Sequence, residues 1–107
     1  MRPKVVTLCG LTRFYKTFQK ENSEETMKGN IVLSVGFYPG SPEMHGEGVG
    51  ISELQKKALD ELHKRKIDLS DEIFVLNVGG YIGESTLGEI QYAMELGKPV
   101  RYLEPLN

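Results

Sequence analysis

DEIFVLNVGGYIGESTLGEIQYAMELGKPVRYL, residues 71–103, decides the fold. It contains a strand, a glycine turn, a helix, a stop and a second strand in one sweep. EIFVLNV (72–78) is a nearly continuous apolar run with β-branched residues, the pattern of a strand buried on both faces. Gly79, Gly80 and Gly83 punctuate the turn, and Ser85 or Thr86 is placed to cap a helix. Ile90, Ala93, Met94 and Gly97 form that helix's expected buried stripe. Gly97-Lys98-Pro99 stops it, and PVRYL (99–103) reads as the next strand. Apolar strands joined through helices pair in parallel.

The same grammar extends towards the N-terminus. VVTLC (5–9) is a second buried-strand pattern, followed by Gly10. Thr12 is placed to cap the next helix, where Phe14 and Phe18 share a face and Lys28-Gly29-Asn30 supplies the stop. IVLSV (31–35) reads as a strand. GFYPGSPEMHGEGVG (36–50) shows no periodicity, and a loop of that length in a small domain is commonly functional. Ser52 with Gln55 makes a capping box, and Leu54, Ala58 and Leu62 an expected buried stripe. The order βαβ-loop-αβαβ predicts one α/β domain over 1–107: a three-layer α/β/α sandwich on a small four-stranded parallel sheet, flavodoxin-like or Rossmann-like.

Composition narrows the function. A net charge of −2 leaves no electrostatic footprint for a nucleic acid polymer or an anionic membrane surface. No apolar run approaches the ~18 residues of a membrane span, and there is no signal-peptide pattern. The single cysteine, Cys9, cannot form an internal disulfide, which points to a reducing cytoplasm. The short chain leaves helix faces uncovered, so a homo-oligomer, a dimer or higher, is expected.

In open parallel sheets, ligands bind beyond the carboxyl ends of the strands. Residues 10–13, 37–50 and 79–89 should therefore converge. Glu89 lies one turn into the last helix, at the edge of its apolar stripe and on the side of Ser85 and Tyr92. An acid there can simply answer the helix dipole, or it can react. Cys9, Gly10, Leu11, Thr12 and Arg13 form a strand, a glycine and a helix start, an arrangement suited to an anion. The long loop carries Tyr38, Glu43 and His45, and with Met44 it offers a surface for a nucleobase. EMHGE (43–47) invites a metal reading, but no second cluster stands at ligand spacing, so neither metal nor cofactor is expected. His63 reads as a partly exposed helix residue with Asp60 one turn back, and Cys9 as packing.

CGLTRF (9–14) taken with DEIFVLNVGGYIGESTLGEIQYAMELGKPV (71–100) resembles the nucleoside 2-deoxyribosyltransferase superfamily, in particular its 2'-deoxynucleoside 5'-phosphate N-hydrolase branch. The resemblance implies a small-molecule nucleoside or nucleotide as substrate and Glu89 as nucleophile at the anomeric carbon. Glu84, Glu43, His45 and His63 are the candidates to protonate the leaving base. Tyr92, Ser85 or a backbone N–H would hold Glu89. A phosphate would sit at residues 10–13 or at Ser85 and Thr86, with Gly79 and Gly83 shaping the turn. Three positions depart from the family pattern. His63 stands where an aspartate is common, Leu11 where serine is frequent, and Gly83 where some transferases carry an acid. Those departures motivate an alternative, a nucleotide-binding module without turnover.

Overall fold

A computed structural model describes residues 2–36 and 52–106. Among these residues the central sheet has four parallel strands in the order β2-β1-β3-β4. They are β1 (Val5–Cys9), β2 (Ile31–Leu33), β3 (Glu72–Val75) and β4 (Val100–Tyr102). Among the described residues, three helices cover the sheet: α1 (Tyr15–Met27), α2 (Glu53–Leu69) and α3 (Glu84–Glu95). The expected three-layer α/β/α architecture therefore forms. β1 matches its expected bounds, whereas β2, β3 and β4 are trimmed at their ends.

Side-chain alternation builds two cores. Val6, Leu8, Phe74 and Leu76 point to the α1 face and pack with Phe18. Cys9, Ile73 and Val75 point to the other face and pack with Ile67 of α2 and with Ile90 and Ala93 of α3. β1 and β3 are neighbours but not successive in the chain. The path leaves β1 towards β2, then crosses back through α2 to β3. The carboxyl ends of β1 and β3 thus flank the point where the strand order reverses, the usual crevice for a ligand.

The helix ends explain how the elements are held. The Ser52 capping box forms, with Gln55 N–H donating to Ser52 Oγ at 3.1 Å and Ser52 N–H to Gln55 Oε1 at 2.8 Å. Gly29 ends α1 at φ 89° and Gly97 ends α3 at φ 72°, conformations that tax any side chain. Lys98 Nζ donates to the Ile67 and Asp68 carbonyls at 2.9 and 2.7 Å, placing a cation on the negative end of α2.

Four local expectations are corrected. Thr12 caps nothing: it opens a 3-10 turn (Thr12–Phe14) ahead of α1. α3 starts at Glu84 with Gly83 as its N-cap, not Ser85 or Thr86, and no side chain closes that end. Leu54, Ala58 and Leu62 do not form a buried stripe, since α2 buries His63 and Ile67 instead. Within the α3 stripe, Ile90 and Ala93 are buried, but Met94 is 65% exposed and Gly97 is exposed as well.

Candidate functional site

A cavity of about 590 Å³ opens at the switch point. Its floor and walls come from Gly10, Leu11 and Thr12 after β1, from Lys56, Leu59, Asp60, Leu62, His63 and Lys66 of α2, and from Ser85, Thr86 and Glu89 of α3. Gly10 lets the first wall form. A Cβ there would stand 3.2 Å from the Leu76 carbonyl oxygen and 3.5 Å from Phe18 Cζ, so a side chain would push β1 away from β3. Gly83 serves the same end on α3, because its Cβ would meet Leu11 Cδ2 at 3.0 Å.

Glu89 and His63 meet in this cavity. Glu89 Oε1 lies 3.7 Å from His63 Nε2, and the two side chains are 14% and 6% exposed. Cys9 Sγ, at the end of β1, sits 3.4 Å from the same Nε2. One ligand atom from each of the three residues lies within 4.8 Å of the other two. His63 is thus buried and faces the site, not half-exposed on the helix surface as its sequence context suggested.

Burial sets the protonation states. It raises Glu89 from the ordinary 4.5 to about 7; Asp60 adds to the rise, while the Cys9 thiol, Lys56 and Lys64 oppose it. Burial also lowers His63 to about 4, with Lys66 pushing the same way and Asp60 opposing. The Cys9 thiol is pushed well up by burial and by the Glu89 charge beside it. At neutral pH His63 is therefore uncharged, and Glu89 sits close to its titration midpoint. The lysines of the cavity are held elsewhere. Lys66 Nζ donates to the Ser34 carbonyl at 2.6 Å, and Lys56 Nζ lies 3.2 Å from Asp60 Oδ2 and 3.3 Å from Ser85 Oγ. Among the described residues, Glu89 has no ion-pair partner within 4.0 Å except His63.

The other expected site residues divide into two groups. Cys9, Gly10, Thr12, His63, Ser85, Thr86 and Glu89 are brought together here, and Gly83 supports the wall. Arg13 is not: it is exposed and lies over the rings of Phe14 and Tyr81, at 5.0 and 5.6 Å. Tyr92 does not hold Glu89. Its hydroxyl donates to Asp68 Oδ1 at 2.5 Å and accepts from Arg65 Nη2 at 2.9 Å. Gly79 is clamped outside the cavity, its N–H donating to Glu104 Oε2 at 2.6 Å. Glu84 is exposed and does not line the cavity. Tyr38, Glu43 and His45 lie outside the described residues. Lys56 and Lys66 were missed in the sequence. Both fall on the α2 face that carries Asp60 and His63 at helical spacing, which was the available signal.

Among known proteins, no family model matches the chain and no curated protein matches it in sequence.

Proposed function

We propose that the protein breaks or transfers the N-glycosidic bond of a deoxynucleoside or its 5'-monophosphate, with Glu89 as nucleophile. The observation that carries this reading is a carboxylate only 14% exposed, free of any Lys or Arg partner among the described residues, in a nucleoside-sized cavity at the switch point. The ionised Glu89 attacks the anomeric carbon, the C–N bond breaks, and the base leaves with its bonding electrons and takes up a proton. The resulting glycosyl ester is hydrolysed by water or displaced by a second base. Asp60 is half-buried in the cavity wall, whereas Glu53, which also lines the cavity, and Glu84, which does not, are exposed; this favours Asp60 as proton donor. With Arg13 turned away, the better seat for a phosphate is the uncapped start of α3 at Ser85 and Thr86, beside Lys56.

The alternative, a nucleotide-binding module without turnover, is favoured by His63 standing against Glu89 where the family has an aspartate. A homo-oligomer belongs to the same proposal, supported by Leu87 and Met94 of α3, which are 51% and 65% exposed. The deciding experiment incubates the protein with deoxynucleosides and their 5'-phosphates and measures free base by chromatography. Release that disappears in Glu89→Gln supports catalysis. Thermal stabilisation by nucleotide with no base released from any substrate supports the module.

A further inference from the structure

Cys9, His63 and Glu89 have a second meaning that the sugar chemistry does not use. A thiol, an imidazole and a carboxylate are the three side-chain types that ligate zinc. Around a tetrahedral zinc, sulfur at ~2.3 Å and nitrogen at ~2.0 Å stand about 3.5 Å apart, and nitrogen and oxygen about 3.3 Å apart. The structure has Cys9 Sγ to His63 Nε2 at 3.4 Å and His63 Nε2 to Glu89 Oε1 at 3.7 Å. The three groups come from three different elements, β1, α2 and α3, each packed in place. We propose that Cys9 Sγ, His63 Nε2 and the Glu89 carboxylate bind one zinc-class divalent cation, with the fourth coordination position open to the cavity.

Charge and solvation favour the ion. A thiolate and a carboxylate balance the two positive charges, so the buried site becomes neutral overall. His63 is buried and turns Nε2 towards both Cys9 Sγ and the Glu89 carboxylate. Lys66 is directed to Ser34 and Lys56 to Asp60 and Ser85, and Lys64 lies over the Tyr92 ring at 5.6 Å, so among the described residues no lysine is ion-paired with Glu89. Binding transfers the thiol proton, and the carboxyl proton where Glu89 carries one, to solvent; nothing is oxidised or reduced. Three protein ligands with an open position are the pattern of a zinc site that takes water or a ligand, not of a closed structural one. The inference stands on the cluster alone. A metal ion and a sugar carbon are alternative occupants of Glu89, so metal binding and base release are measured separately.

The test is cobalt(II) titration of the reduced, metal-free protein, with zinc competition against a chromophoric chelator. The chain has one cysteine, so a thiolate-to-cobalt charge-transfer band on the unmodified protein assigns Cys9 without any variant. The expected result is that band together with a tetrahedral ligand-field spectrum, saturating at one equivalent and displaced by zinc. Cys9→Ala should abolish the band, and His63→Gln or Glu89→Gln should weaken zinc binding by roughly 100-fold or more, beyond the ~10–100-fold of an outer-shell change. No charge-transfer band at millimolar cobalt would overturn the site. So would zinc affinity that stays unchanged in folded Cys9→Ala and His63→Gln proteins.

Discussion

Glu25, buried, and Glu89, half-buried, are glutamates on helices packed against the same sheet, and they occupy opposite electrostatic states. Glu25 closes α1 near the amino ends of the strands, with its side chain 1% exposed. Arg101 grips it with two bonds of 2.7 and 3.1 Å, Lys28 and Asn30 add one each at 3.0 Å, and its carboxyl is drawn down to about 2. Arg101 also holds Glu72 at 2.9 Å and lies over the Phe74 ring at 4.0 Å. Glu89, at the carboxyl end, faces a neutral histidine and a thiol and is pushed up to about 7. One acid is satisfied by design of its neighbours; the other is left wanting a positive partner, which a developing oxocarbenium ion or a metal would supply.

The largest effect should come from removing the charge of the unsatisfied acid. Glu89→Gln is expected to cut base release by roughly 10³-fold or more while leaving thermal stability at pH 7 equal or higher, because a costly buried carboxylate is lost. Equal loss of stability and activity would instead mark Glu89 as a structural residue. Next comes the satisfied acid. Arg101→Met strands Glu25 and should cost about 2 kcal/mol by chemical denaturation. That is less than the ~3–5 kcal/mol of a fully buried broken pair, since Lys28 and Asn30 still bond Glu25 and Arg101 is 36% exposed. Base release per folded molecule should be unchanged.

The pH dependence separates the two acids by sign. Glu25 contributes stability above 4.5 that is lost as the pH falls towards 2. Glu89, raised from 4.5 to about 7, favours the fold most when protonated, and that contribution fades as the pH rises through 7. His63, lowered from 6.5 to about 4, acts in reverse: its contribution is present above 6.5 and is lost as the pH falls towards 4. Between 4.5 and 6.5 the last two oppose each other. Metal-free protein should therefore be nearly flat in stability there. Acidification should destabilise Glu89→Gln and stabilise His63→Gln, each by about 1–2 kcal/mol in denaturant melts. Base release should climb from pH 6 to 8 as Glu89 ionises. The smallest expected effect is Ser52→Ala, which removes the α2 cap and should cost ~1 kcal/mol. Because α2 carries His63 and Asp60, nucleotide binding should weaken while the Glu25 cluster is untouched.

The sheet was legible because strands, glycine stops and the Ser52 capping box are local signals. Each needs only neighbours a few residues away. The candidate site was legible in part, since Gly10 and Glu89 follow strand ends and topology delivers both to one rim. What escaped depends on long-range contacts. His63 meets Cys9 across 54 positions, and Tyr92 meets Arg65 across 27, so no window of sequence showed either pair. Arg13 went astray because the 3-10 turn after Leu11 inserts a different rotation from that of a helix beginning at Thr12. The α3 stripe differs for a simpler reason: its buried face runs through Thr86, Ile90 and Ala93, and Met94, one position past Ala93, turns away from it.

The most direct measurement is the intact mass of the protein mixed rapidly with a reactive deoxynucleotide and quenched in acid. The expected result is one added deoxyribosyl or deoxyribosyl-phosphate group on the unmodified chain, mapped by peptide fragmentation to Glu89 and missing from Glu89→Gln. Base released at the same rate by the Glu89→Gln protein, with no adduct on either, would contradict it.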